Sequence, residues 1–231
     1  MSTPLVSNEL DLLASLVDLP QHPHVIELGC GGAHLARKLL ARFPLSDITA
    51  LEVDARQHAK NLLKPQERLH FVPAGAQAIP FEAAQFDLAL MLKSLHHVPL
   101  ELLDQALAEV HRVLRPQGLL YVSEPVFTGA FNEVIRLFHD EEKVRAAALR
   151  AVQAAVASGA WTQLTELHFE TPVHFRDFAD FEQRMIGVTF VNHQLSPATL
   201  ATVRERFEKH MTADGAHFVR PMRVNLLARG D

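Results

Sequence analysis

Between residues 25 and 125 the chain alternates short apolar runs with amphipathic, helix-spaced segments, joined by short links. The runs are Val25–Leu28, Ile48–Val53, Leu69–Val72, Phe86–Leu92 and Leu119–Ser123. Strands joined through helical crossovers lie parallel, because the crossover returns the chain to the edge it left. Five repeats of this order predict an α/β domain built on a doubly wound parallel sheet. Phe86–Leu92 is nearly all apolar, as a central strand covered on both faces should be.

Open α/β sheets bind ligands beyond the carboxyl ends of their strands. The first run ends there in Gly29-Cys30-Gly31-Gly32, and a helix pattern follows from Ala33 to Arg42. Gly29 and Gly31 lack Cβ, so they can take positive φ and let a ligand approach the backbone. The helix behind them offers unpaired N–H groups and the positive end of its dipole. A dinucleotide fingerprint needs a small residue in the sixth place from the first glycine. That place holds His34, so a nicotinamide-dependent oxidoreductase is the weaker alternative. The second run ends in Glu52-Val53-Asp54, about 20 residues past the turn, where an acid reads a ribose diol by accepting from both hydroxyls. Asp54 is also placed to cap a helix over Arg56–Leu63.

The pattern Glu27-x-Gly29-x-Gly31-x-Ala33 resembles the first motif of class I S-adenosylmethionine-dependent methyltransferases, with Ala33 in the last glycine slot. Gly75-Ala76-Gln77-Ala78-Ile79-Pro80-Phe81 resembles the loop that edges the adenine in that family, with Gly75 where the family has an aspartate. Phe86-Asp87-Leu88-Ala89, Lys93-Ser94-Leu95-His96-His97-Val98 and Arg112–Gly118 resemble its fourth strand, the turn after it and the turn before the fifth strand. The resemblance implies a mostly parallel, seven-stranded, Rossmann-like sheet with a helical insertion after the fifth strand and an antiparallel last strand set into the sheet. It implies S-adenosylmethionine as cofactor, held by Glu27, Gly29, Cys30, Gly31, Asp54, Ala76, Gln77 and Met91. Asp54 is preferred over Glu52 because the family's acid follows directly on its strand. Glu27 is expected near the cofactor's ammonium group and the Met91 backbone near its methionine part. The reaction implied is in-line methyl transfer to a small-molecule acceptor. His96, His97 and Glu124 are the candidates for a catalytic base, each with a structural role as the alternative. A non-catalytic S-adenosylmethionine-binding protein is the competing reading, and Gly75 is the residue that lends it weight.

The remaining chain fits this plan. Asn8–Leu19 has helical spacing, and could cover the sheet edge or act as a flap. We expect one domain over 1–231, with a cofactor-binding core at 20–125, a helical insertion or cap at 126–160, and a part at 161–231 that completes the sheet. Within the last, Trp161–Phe175 could hold a sixth strand, Phe178–Ile186 and Pro197–His210 read as helices, and His217–Ala228 as the last strand. Pro221 should force that strand to a bulge or an edge. The formal net charge is -5 and no stretch concentrates Lys and Arg, so nucleic acid is not expected as a partner. No apolar run approaches the ~20 residues that span a bilayer, and the N-terminus carries Glu9, Asp11 and Asp18 rather than a basic leader. A single cysteine, Cys30, suits a reducing cytoplasm. Among the fourteen histidines, the adjacent His96 and His97 lack zinc-site spacing, and the cluster His139-Asp140-Glu141-Glu142 fits a solvated helix start equally well, so no metal is expected. A homodimer is left open.

Overall fold

The structure, a computed structural model, describes residues 3–187 and 195–230. Its elements are α1 (Glu9–Leu16), β1 (His24–Leu28), α2 (His34–Arg42), β2 (Asp47–Leu51), α3 (Ala55–Leu62), β3 (Leu69–Val72), β4 (Phe86–Leu92), α4 (Leu103–Val113), β5 (Leu114–Pro125), α5 (Ala130–Ile135), α6 (Glu142–Ala157), β6 (Trp161–Phe175), α7 (Phe178–Phe181), α8 (Pro197–Glu208), β7 (Met211–Thr212) and β8 (Gly215–Arg229). No helix among the described residues is long and apolar enough to cross a membrane.

The sheet runs β3-β2-β1-β4-β5-β8-β6, with the short β7 paired to β8. The pairs β2–β3, β1–β2, β1–β4 and β4–β5 are parallel. Strand order therefore reverses between β1 and β4, which is the switch point where ligands bind in such sheets. Asp87, the second residue of β4, fixes the register at the opposite end. It accepts from the His24 N–H at 2.8 Å and from Arg115 at 2.6 Å. β8 is inserted between β5 and β6, as expected of the last strand. Gly230 N–H donates to Ala160, while Asn225 reaches back to Glu166 further along β6. The two strands thus run in opposite directions.

Two details differ from the expectations. The link from β3 to β4 holds no helix, because Pro73, Gly75 and Pro80 interrupt any helical run. β5 is longer than expected and begins at Leu114, and its pairing to β4 shifts register between Phe86 and Leu88. Pro221 lies in β8, which is not an edge strand. A partner accommodates it: the Val126 N–H donates to the Pro221 carbonyl at 2.9 Å, while the Val126 carbonyl takes the Thr128 N–H instead. The donor that proline lacks has no acceptor waiting for it.

The chain divides into two compact units. The larger comprises Asn8–Glu124, Ala146–Leu167 and Arg223–Asp231. Its core joins Ile26, Leu28, Leu51, Ala89, Met91 and Val122 of the strands to Leu107 and Val110 of α4 and Ala148, Ala151 and Val152 of α6. The alanines of α6 let that helix pack closely, which is what its composition is suited to. The smaller unit comprises Met1–Ser7, Pro125–Arg145 and His168–Met222. Its core is aromatic: Phe131, Phe175, Phe178, Phe181, Phe207 and Phe218, with Val134, Ile135 and Val203. Phe181 meets Phe207 at 4.8 Å and Phe175 at 5.2 Å between ring centroids. Phe181→Ala should lower unfolding stability by about 3–5 kcal/mol, read as a shift in the denaturant midpoint.

Candidate functional site

Every residue of the candidate site lies in the larger unit. The turn after β1 takes the strained backbone that its glycines permit. Gly29 has φ +74° and Gly31 φ +50°, and Ala33 follows at φ +53°. A Cβ on Gly29 would stand 2.7 Å from the Ser94 Cβ, whereas one on Gly31 would meet nothing within 4 Å. The first glycine is thus required by packing against the turn after β4. The second leaves its backbone open to a ligand.

The turn is held by the end of β2. The Gly29 and Cys30 N–H groups donate to the Leu51 carbonyl at 3.0 and 2.9 Å. The Glu52 carboxylate accepts from Gly31 N–H at 2.7 Å with one oxygen and from Asp54 N–H at 2.9 Å with the other. Asn61 of α3 donates to the Gly31 carbonyl at 2.8 Å. Asp54 itself caps α3, accepting from Arg56 N–H at 2.9 Å. The acid that touches the glycine turn is therefore Glu52, and Asp54 takes the helix-capping role weighed for it. β2 ends at Leu51, so the chain turns away before Asp54. A cap position directly ahead of a helical pattern was the sequence signal for this.

Glu27 is buried, and burial pushes its carboxyl up to about 8, with Glu52 adding to the shift and the Ala36 backbone and Lys93 opposing it. Its Oε2 is buried with no partner among the described residues, as are the hydroxyls of Ser94 and Ser123. Cys30 is a buried free thiol in the turn. Met91 is buried near the carboxyl end of β4, paired with Val122 of β5. The loop of Ala76 and Gln77 is pinned by α4. Gln105 donates to the Gln77 carbonyl at 2.8 Å, and Arg112 to the carbonyls of Phe81 and Ile79 at 2.7 and 3.0 Å. Glu109 accepts from the Ile79 N–H at 3.0 Å, and Arg112 holds its carboxyl below the usual range. At Gly75 a Cβ would collide with the Gln77 side chain, so the glycine makes room for that amide.

After β4, the Glu124 carboxylate binds the Leu95 N–H at 2.9 Å and the His96 Nδ1. Both side chains are 3% exposed. The exposed His97 lies against His96, at 4.1 Å between ring centroids. The three candidates for a base thus form one connected group in which Glu124 orients His96. The residues that sequence reasoning passed over are Asn61, Ser94 and Ser123. Ser94 lies inside the motif Lys93-Ser94-Leu95-His96-His97-Val98 without being singled out there, and only the fold brings Asn61 to the turn.

Because Glu27 keeps its proton in the folded chain between its ordinary 4.5 and about 8, native stability falls as pH rises through that window. Glu27→Gln should therefore raise the melting temperature of the free protein. The gain should be absent at pH 4 and on the order of 3 kcal/mol at pH 7, followed by thermal unfolding across the pH range.

The family model described as "Methyltransferase domain" matches residues 26–122. Sterol 24-C-methyltransferase of Debaryomyces hansenii is 27% identical over 126 residues, covering 52% of this chain and 33% of its own. The chain spans under half the length of the curated relatives it matches. In fold it is similar to the YcgJ protein of Bacillus subtilis, with TM-score 0.67 and 14% identity over 96% of this chain and 98% of that one. It is also similar to 1,6-didemethyltoxoflavin-N1-methyltransferase of Burkholderia thailandensis, solved with its substrate and S-adenosylhomocysteine. There the TM-score is 0.52 and the identity 17%, over 96% and 76% of the two chains. The glycine turn and the switch point of the sheet both lie within the matched residues 26–122.

Proposed function

We propose that this chain is an S-adenosylmethionine-dependent methyltransferase acting on a small-molecule acceptor. The observation that carries the reading is the bond from the Glu52 carboxylate to Gly31, at the switch point of the sheet. The residues present suit the cofactor. The open face of Gly31 admits a ligand. Glu27 Oε2, Ser94 Oγ and Ser123 Oγ are buried polar atoms that the protein alone leaves without partners. Such atoms are rare unless a ligand or water completes them. Among relatives, the Burkholderia enzyme is named for a small heterocyclic acceptor, which supports that acceptor class here.

Glu52 would accept the ribose hydroxyls, in the role first expected of Asp54. Ala76 and Gln77 would border the adenine, the Gly29–Gly31 turn and the Met91 backbone the methionine part, and Glu27 the ammonium. When bound, the cofactor supplies a methyl group already activated by the sulfonium charge. The chain then contributes alignment and the exclusion of water. Where the acceptor must lose a proton, His96 takes it, held at Nδ1 by Glu124.

Titration calorimetry with S-adenosylhomocysteine tests the reading. Wild-type protein should bind it, Glu52→Gln should weaken binding about tenfold or more, and Asp54→Ala should change it by less than about threefold. Absence of binding by folded wild-type protein overturns the reading, and the reverse ranking of the variants returns the ribose to Asp54. A second outcome follows from Glu27. Pairing with an ammonium favours the ionised carboxylate, so binding below about pH 8 must expel a proton. Affinity should rise from pH 6 to 8 by up to roughly tenfold per unit, and Glu27→Gln should flatten that profile.

A further inference from the structure

The smaller unit holds a group of donors that the cofactor site does not use. Arg145, 13% exposed, is clamped by Glu141 through Nε at 3.0 Å and Nη2 at 2.5 Å. Its Nη1 donates to Asn132 Oδ1 at 3.1 Å. A guanidinium has no acceptor, so this bond fixes which way the amide of Asn132 points. Its Nδ2 is turned away from Arg145 and has no partner among the described residues, on a residue only 7% exposed.

Arg220 is the second cation. Its guanidinium sits over the Phe131 ring, 4.8 Å from the centroid. Among the described residues no carboxylate lies within ion-pair distance of it. Burial pushes its pKa down to about 10, and the charge of Arg145 adds to the shift against the opposing Glu141. Glu141 cannot balance both arginines, since Arg145 and His139 already share its oxygens. Among the described residues the group therefore presents donors in excess: one guanidinium without an ion-pair partner, one amide nitrogen without a bond, and a second arginine held on the same Asn132. Aromatic faces accompany it. Phe127 packs against Arg136 at 5.0 Å and Arg145 at 5.8 Å.

We infer that Arg220, Asn132 and Arg145 form a site for the anionic group, carboxylate or phosphate, of a small aromatic or apolar molecule. Arg220 stacks on Phe131, the residue before Asn132, and a guanidinium together with an amide N–H supplies the kind of donors that paired oxygens require. Identifying the ligand as the methyl acceptor rests on the methyltransferase reading; the anion site itself does not.

Titrating the full chain with benzoate, with inorganic phosphate and with benzylamine tests this. Benzoate or phosphate should bind in roughly the millimolar range, and benzylamine, of the same size as benzoate but cationic, should not. Arg220→Met should weaken anion binding about tenfold or more, and Asn132→Asp should abolish it by facing the ligand with a carboxylate. Arg220→Lys keeps the charge but not the fork, and should retain a part of the affinity. Titration with S-adenosylhomocysteine should give the wild-type affinity in all three. Failure of folded wild-type protein to bind either anion, or equal anion affinity in the wild type, Arg220→Lys and Asn132→Asp, overturns the proposal even if Arg220→Met does not fold. Anion binding that depends on Arg220 in a protein that ignores S-adenosylhomocysteine would retain the site and discard the methyltransferase reading.

Discussion

The carboxylate of Glu52 joins the end of one strand to the turn that leaves its neighbour. β1 and β2 run side by side to Leu28 and Leu51, and beyond that point the ladder no longer holds the backbone. Gly31 would have an unpaired N–H in a left-handed conformation were it not for this side chain. A hydrogen bond to a carboxylate is about twice as strong as a neutral one, and here one carboxylate receives two N–H groups. Asn61 takes the carbonyl of the same glycine. The turn is thus closed on its donor and acceptor sides by side chains from the β2–α3 segment. The geometry of the turn depends on that segment as much as on the glycines.

Much of this was legible in the sequence, because it follows from periodicity and from residues with special backbone freedom. Alternating runs placed β1 to β5, and Gly29 and Gly31 marked the turn where positive φ is found. The choice between Glu52 and Asp54 was not legible to the same degree. Both close the same apolar run, two residues apart on the same side of an ideal strand. What separates them is where the chain leaves that strand, and boundaries of this kind are set by pairing to β1 and β3 rather than by the local pattern. The clasp of Asp87 on His24 and Arg115 was hidden for a similar reason, since it links positions 63 and 28 residues apart.

The smaller unit was the least legible part. Phe131, Phe175, Phe207 and Phe218 come from widely separated places in the chain, and only Phe178 and Phe181 show a helical spacing. Asn132, Arg145 and Arg220 have no sequence relation at all. Read singly, each is an ordinary surface-type residue. Their chemistry arises only when the fold sets a second cation near the pair of Arg145 and Glu141. Pro221, by contrast, was noticed. The rule that proline avoids inner strands concerns a missing donor, and here the opposing carbonyl of Val126 is served from within its own loop.

Cys30 completes the turn between the two strained glycines. Its thiol is buried, and burial together with Glu27 and Glu52 raises its pKa well above the ordinary range. The thiolate, not the thiol, is the nucleophile. In the proposed seat for an alkylating sulfonium compound, a sulfur so placed would be kept in its inert form, and the protein would be shielded from modifying itself.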